Sequence, residues 1–339
     1  MMDVHVLVLR RGHLFCLAVV ACALIQATPC VAQPESTGSG QAYPNRPIRF
    51  VVPFAPGGNA DTVSRTSAQK VAESIGQQVV VDNRSGANGN IGMEIVARAA
   101  PDGYTIVLGY IANVAIAPSL VSKLPYDPIK DYAPITLLAT APNILVVHAS
   151  VPARTLKELI ALSKAKPKSI NFSSAGVASV GHLTGELFNT VTGSDFQHVP
   201  YKGSAQGVID LVAGQIQMLI GGMSSVMPHI KAGRLRAIAV TGAQRSPAAP
   251  DVPTVAESLL PGFEATAWYA ILGPAGTPAE TVDKVNGAVN AWLKTAKAAE
   301  TLASMAMLPN GGTPDQLQVH IASEIAKWEP VIKGADIRF

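Results

Sequence analysis

The chain has 339 residues, of which 48% are hydrophobic and 14% charged. That balance is too apolar for intrinsic disorder, and the length suits two domains of about 150 residues each. Its 26 Lys and Arg against 23 Asp and Glu give a formal charge of +3, and no basic cluster follows Arg11, which argues against a nucleic-acid partner.

All three cysteines, Cys16, Cys22 and Cys30, fall in the first thirty residues, where Arg10 and Arg11 precede an apolar run over 14–25 and a small-residue tail ending at Ala32. Basic, then apolar, then small is the order of a secretory signal peptide, read here as residues 1–32. The apolar run is shorter than the roughly 20 residues a membrane-spanning helix needs. Val19-Val20-Ala21-Cys22 also resembles a lipobox, so a lipid anchor is the alternative end for the same leader. Removing 1–32 takes away Asp3, Arg10 and Arg11, lowers the formal charge from +3 to +2 and leaves a chain without cysteine. Disulfides, cysteine nucleophiles and thiolate metal sites are thereby excluded from the mature protein.

Residues 33–43 read as a polar tether. A buried strand is expected at 48–53, followed by a helix with Ala68, Val71, Ala72 and Ile75 at i, i+3, i+4, i+7 and closed by Gly76. A strand at 79–81, a helix at 91–100 and a strand at 105–108 complete a β-α-β-α-β run, the order of a doubly wound parallel sheet. Later helix starts carry capping boxes at Thr155/Glu158, Thr254/Glu257, Thr277/Glu280 and Thr313/Gln316, with Pro278 and Pro314 at first helical positions. Strands near 170–173, 197–200, 217–220 and 236–240 imply a second α/β unit. The expected architecture is two α/β lobes, each a mixed sheet flanked by helices: 44–141 with 273–339, and 142–272. Apolar runs at 138–147 and 265–272 would be the crossings.

Five loops share one design, a strand running through small residues and glycine into a helix: 56–61, 85–90, 173–176, 202–204 and 221–224. Loops at the carboxyl ends of parallel strands are where open α/β sheets bind ligands, and helix starts offer free N–H groups to an anion. A single such loop is as readily a tight turn; five together point to a small anionic ligand. None has the spacing of a dinucleotide or P-loop motif. No metal site is expected, because His148, His182, His198, His229 and His320 form no ligand pair in sequence. Asp61 is either a helix N-cap or a ligand contact, and Lys202 either neutralises a carboxylate or is an ordinary exposed lysine. His182 reads as a supporting group.

Val52-Pro53-Phe54-Ala55-Pro56-Gly57-Gly58 with Asp61 and Arg65, Asn83-Arg84-Ser85-Gly86-Ala87-Asn88-Gly89-Asn90-Ile91-Gly92, Pro101-Asp102-Gly103-Tyr104-Thr105, Val199-Pro200-Tyr201-Lys202-Gly203-Ser204 and Asp251-Val252-Pro253-Thr254-Val255-Ala256-Glu257 occur in one order. Together they resemble the Bug proteins, extracytoplasmic receptors of the tripartite tricarboxylate transporter type. The resemblance implies a periplasmic, monomeric two-lobe receptor that closes on a small carboxylate for a membrane permease or a sensor kinase, with no cofactor and no catalysis. It assigns ligand contacts to Phe54, Gly57, Gly58, Asn59 and Asp61 on one lobe and to Ser174, Gly176 and Ser179 on the other, with Asn88, Lys202, Gly203 and Met223 beside them. The chain departs from the family at Ser85 for proline, Asn88 and Ala178 for glycine, and Gln217 for aspartate, so the added side chains at 88 and 178 bear on ligand identity. The rival reading is a secreted α/β serine hydrolase using Ser179 or Ser174 with His182, which lacks a nucleophile elbow and a third partner.

Overall fold

The computed structural model describes residues 43–201 and 203–337. The leader, the lipobox and the tether up to residue 42 lie outside the described residues, as does Lys202. Among the described residues no helix is long and apolar enough to cross a membrane.

The first elements follow the expected order: β1 (Ile48–Val52), α1 (Asn59–Ile75), β2 (Val79–Asn83), α2 (Asn90–Ala97) and β3 (Thr105–Tyr110). β1 is parallel to both neighbours, with Phe50 opposite Val81 on one side and Ile106 on the other. Covered on both faces, it reads as a continuous apolar run rather than an alternation. α1 turns Val63, Ser67, Ala68 and Val71 inward and ends on Gly76, whose φ of 72° lets its N–H reach the Ala72 carbonyl.

Beyond β3 the parallel order stops. The chain passes through a π-helical turn (Ala112–Ile116) and α3 (Ala117–Leu120) into β4 (Tyr132–His148), a strand of 17 residues. β4 serves two halves of the molecule. Up to Pro142 it pairs antiparallel with β9 (Thr266–Pro274), and from Asn143 onward with β7 (Met218–Gly222) and β8 (Leu235–Val240). Proline, which has no N–H to donate, stands at the change of partner. The two runs expected as crossings lie in β4 and β9. Thr241, fully buried, secures the change of partner: its hydroxyl accepts from the Asn143 amide at 2.9 Å and lies 2.7 Å from the Ala265 carbonyl.

The second half contains α4 (Leu156–Ala165), β5 (Ile170–Ser173), α5 (Val180–Thr192), β6 (Phe196–Val199), α6 (Ser204–Val212), α7 (Met223–Lys231) and α8 (Val255–Ser258). β5 is parallel to β6 and β7, and the chain then returns along β9 to α9 (Ala279–Leu293), α10 (Ala296–Ser304), β10 (Leu308–Pro309) and α11 (Pro314–Gly334). The result is a two-lobe α/β fold on a mixed sheet in the order β2-β1-β3-β9-β4-β7-β5-β6, with β8 and β10 paired to β4. One apolar cluster crosses between the halves, where Ala178, Val180 and Leu183 of the second pack with Ile111, Ile116, Leu317 and Ile321 of the first.

The capping boxes at Thr155, Thr254 and Thr313 form as expected. The one at Thr277 does not. Its hydroxyl donates to the Pro274 carbonyl at 2.7 Å, closing the turn after β9, and Pro278 occupies the cap position instead of the first helical one.

Candidate ligand-binding site

The loop after β1 exposes Gly57, Gly58 and Asn59 at the start of α1, and the helix has no side-chain cap. Gly57 has φ +91°, a conformation that costs glycine little. The cap residue is Gly58, so Asp61 is not the N-cap expected of it; it is the third helical residue, with its side chain turned back beneath the loop. Asp61 Oδ2 accepts from the Gly57 amide and from Arg65 Nε, each at 3.0 Å, and Oδ1 accepts from Asn83 Nδ2 at 2.9 Å. Asn83 Nδ2 also donates to the Phe54 carbonyl at 3.0 Å, tying both ends of the loop to one amide. The Arg65 guanidinium, followed by the Gly57 and Asn83 hydrogen bonds, holds the Asp61 carboxyl down at about 2 against burial. Asp61 is therefore a buried post for the loop, its oxygens committed to protein donors.

The loop after β5 is built from neutral groups. Ser179 caps α5 by accepting from the His182 amide at 3.3 Å and donates to Ser174 Oγ at 3.0 Å. Ser174 Oγ lies 2.8 Å from His198 Nε2 and accepts from the Gly176 amide at 3.1 Å. Ala178, at φ +58°, donates its amide to His182 Nδ1 at 3.0 Å. The two imidazoles stack at 3.8 Å between centroids. Burial pushes His182 down to about 4 and His198 to about 3, the latter also opposed by its neighbour, so both rings are neutral at pH 7. The hydrolase pairing expected of His182 is not formed: Ser174 is buried and meets His198, while His182 Nδ1 is occupied by the Ala178 amide.

The two loops face each other across a cavity of about 250 Å³. Phe54, Asn88, Asn90 and Tyr110 line it from the first half, residues 177–180 from the second, and Ala112, Ile116, Ala117, Leu120 and Val121 complete the wall. Of the residues expected at the ligand, Phe54, Asn88 and Ser179 line this space. Gly57, Gly58 and Asn59 stand exposed on the same loop as Phe54, and Ser174 is buried behind Ser179. Gly176, at φ +135°, has room for a Cβ only 3.2 Å from the Tyr201 carbonyl. Gly203 donates its amide to the Ala175 carbonyl at 3.2 Å, which joins the β6–α6 loop to the same wall. Met223 is a correction: it is a core side chain, 1% exposed and packed with Ile144 and Val226 under α7, because an apolar first helical residue turns into the sheet.

Sequence reasoning missed Asn90, Tyr110 and the π-helical turn. Asn90 stands in the loop from which only Asn88 was chosen, and Tyr110 closes a strand at its carboxyl end, where binding residues collect. Nothing in Ala112-Asn113-Val114-Ala115-Ile116 marks it in sequence, although π-helical turns gather at functional sites.

A family model described as the tripartite tricarboxylate transporter family receptor matches residues 63–337. The chain is 38% identical over 315 residues to protein BugT of Bordetella pertussis, covering 92% of this chain and 96% of that protein. Among solved structures it is similar to Rpa4515 of R. palustris with adipate, at TM-score 0.72 and 37% identity over 88% of this chain and all of that one. It is also similar to MatC (Rpa3494) from Rhodopseudomonas palustris with bound malate, at TM-score 0.67 and 33% identity over 86% of this chain and all of that one.

Proposed function

Because this chain belongs to the tripartite tricarboxylate transporter receptor family, we propose that it is exported to the periplasm by residues 1–32 and binds a small carboxylate reversibly between its lobes. The bound carboxylate passes to a membrane permease or a sensor. The observation that carries this reading is the cavity at which loops from both halves of the sheet converge. Carboxylate ligands in Rpa4515 and MatC support the ligand class.

In this reading the carboxylate is held between the helix starts of α1 and α5. Gly58 and Asn59 supply backbone donors on one side, the Gly57 amide being taken by Asp61, and Ser179 presents its hydroxyl on the other. Asp61, Ser174 and Gly176 shape the loops, with Gly203 beside them; Lys202 is kept as a ligand contact on the family resemblance alone. The lobes are 44–141 with 273–339, and 142–272, hinged where Pro142 pairs with Thr266. The chemistry is binding without bond making: the Ser174–His198 contact of the β5 loop is buried behind Ser179, away from the cavity wall.

The test is a thermal-shift and calorimetric screen of the mature monomer against mono-, di- and tricarboxylates. A ligand at a hundred times its dissociation constant stabilises by about 2.7 kcal/mol. Absence of any shift across the panel at millimolar concentration rejects the receptor reading. Small-angle scattering adds the hinge: the radius of gyration should fall on saturation.

A further inference from the structure

We infer that the base of the second lobe, carrying Lys164, Lys166, Lys168, Lys231 and Arg234, is a docking surface for an anionic lipid bilayer. The inference goes beyond the receptor reading and rests on it only for export, which brings the folded chain to a membrane face. Charge is unevenly spread along the chain. Residues 142–272 hold ten Lys and Arg against seven Asp and Glu, whereas 44–141 with 273–339 hold fourteen of each. The sheet gathers the excess at one end. β5 begins at Ile170, just after the three lysines, and β8 at Leu235, just after Lys231 and Arg234. Both start where β4 finishes, since His148 stands opposite Leu235 in β8 and Val147 opposite Met218 in β7, which in turn pairs with Phe172 of β5. The Ala149 amide donates to the Arg234 carbonyl at 3.2 Å, and the Asp195 amide donates to buried Ser163 Oγ at 2.9 Å, fastening the end of α4 beside the start of β6. Three strand steps separate β8 from β5, about 15 Å.

The five cations are exposed and lack a carboxylate partner. Among the described residues the ion pairs of the second lobe lie elsewhere, at His182–Glu186 and Arg245–Glu257, and Arg234 meets only the His229 ring at 2.6 Å. Of the loops at this end, 149–155, 166–169, 193–195, 213–217 and 232–234, only 193–195 holds a carboxylate, and that one, Asp195, already accepts from Gln197 Nε2 at 2.6 Å. Lys164 and Lys231 stand in the last turns of α4 and α7, where the helix dipole favours them. Lys166, Lys168 and Arg234 lie past the helix ends, and Lys168 has φ +61°, a conformation that glycine or asparagine adopts at lower cost. The surface chemistry favours lipid over protein. Protein interfaces are poor in lysine and rich in aromatic side chains, and no aromatic is among the exposed large hydrophobics of the described residues. A cluster of Lys and Arg without apolar anchors meets anionic headgroups through charge alone, with no fixed register. The loops at the cavity lie at the other end of β5, so a receptor resting on this pole keeps its cavity clear.

Co-sedimentation of the mature protein with vesicles tests this, using phosphatidylcholine containing about 30% phosphatidylglycerol against phosphatidylcholine alone. The protein should bind the anionic vesicles at low salt, ignore the neutral ones, and be released by about 0.5 M salt. The triple variant Lys164→Gln, Lys166→Gln, Lys168→Gln should bind at least about tenfold more weakly. A control with the same change in net charge on the first lobe, Lys70→Gln, Lys294→Gln, Lys297→Gln, should stay within about threefold of the parent. No binding to anionic vesicles overturns the inference, as does an equal loss in the control, which would assign the effect to net charge. Retention on immobilised polyglutamate without vesicle binding overturns it in favour of an acidic protein partner. The thermal shifts of the triple variant with the carboxylate panel should match those of the parent, so the vesicle result and the receptor reading stand or fall separately.

Discussion

The two loops that face each other across the cavity are held by opposite means. After β1 the loop is pinned by charge: a buried carboxylate, a guanidinium and an amide share five hydrogen bonds and ion contacts centred on Asp61. After β5 it is pinned by neutral hydroxyls and imidazoles, Ser174, Ser179, His182 and His198, in contact with one another. The first design leaves the start of α1 uncapped and its amides unclaimed; the second caps α5 with Ser179. Shape is therefore maintained on both walls without a permanent charge being placed in the cavity, since Asp61 and Arg65 neutralise each other outside it.

The comparison sharpens most at glycine. Gly58 has open space where a Cβ would go, whereas a Cβ on Gly181 would fall 2.2 Å from the Ile220 carbonyl oxygen, a backbone atom with nowhere to move. Gly181→Ala should cost about 3 kcal/mol by forcing α5 off β7, and Gly58→Ala less than 1 kcal/mol. Urea denaturation of the two variants measures the gap, and equal midpoints would show that α5 is not seated on the sheet through Gly181.

Removing the charged post comes next. Asp61→Ala strips the Gly57 amide, Asn83 and Arg65 of their common acceptor and should cost about 2 kcal/mol, with ligand affinity falling because the first loop loosens. A variant as stable as the parent would mean that Asn83 alone holds the loop.

Acid separates the two designs. The unfolded-state imidazoles titrate near 6.5, and the folded ones at about 4 for His182 and about 3 for His198. The neutral rings thus contribute stability that is complete above pH 6.5 and is lost as pH falls through 4 and 3, at up to about 1.4 kcal/mol per pH unit for each ring. Asp61 titrates at about 2 when folded against 3.8 unfolded, so its contribution is complete above pH 3.8 and fails only below it. Hydrogen exchange at pH 5 against pH 7 should therefore show, after correction for intrinsic rates, faster opening over 173–199 than over 54–61. The reverse order would contradict the neutral state of the imidazoles. The smallest effect is the cap: Ser179→Ala should cost about 1 kcal/mol, with weaker ligand binding in calorimetry, and unchanged affinity would remove Ser179 from the contact set.

Much of this was legible along the chain because it is local. The Thr-x-x-Glu and Thr-x-x-Gln boxes report a helix start through contacts three residues apart, and three of the four formed. The fourth failed because Thr277 had a competing carbonyl, Pro274, in the turn from β9, and that choice depends on how the strand ends. Met223 was misread for a related reason. The glycine-rich loop before it predicts a turn, but whether the next side chain faces cleft or sheet follows from the direction in which α7 leaves β7.

The sequence by itself determined the strands and helices, their order, the exposed glycine loops and the family, since hydrophobic period, caps and turn residues act within a few positions of one another. Only the tertiary structure decided what the cavity is. Its walls come from residue 54, residues 88–90, residues 110–121 and residues 177–180, segments far apart in the chain that meet because β9 and β4 separate β3 from β7 in the sheet and carry the chain between the halves. A ring standing edge-on to Tyr110 and a serine that meets His198 instead of His182 are consequences of that strand order, which no local pattern encodes.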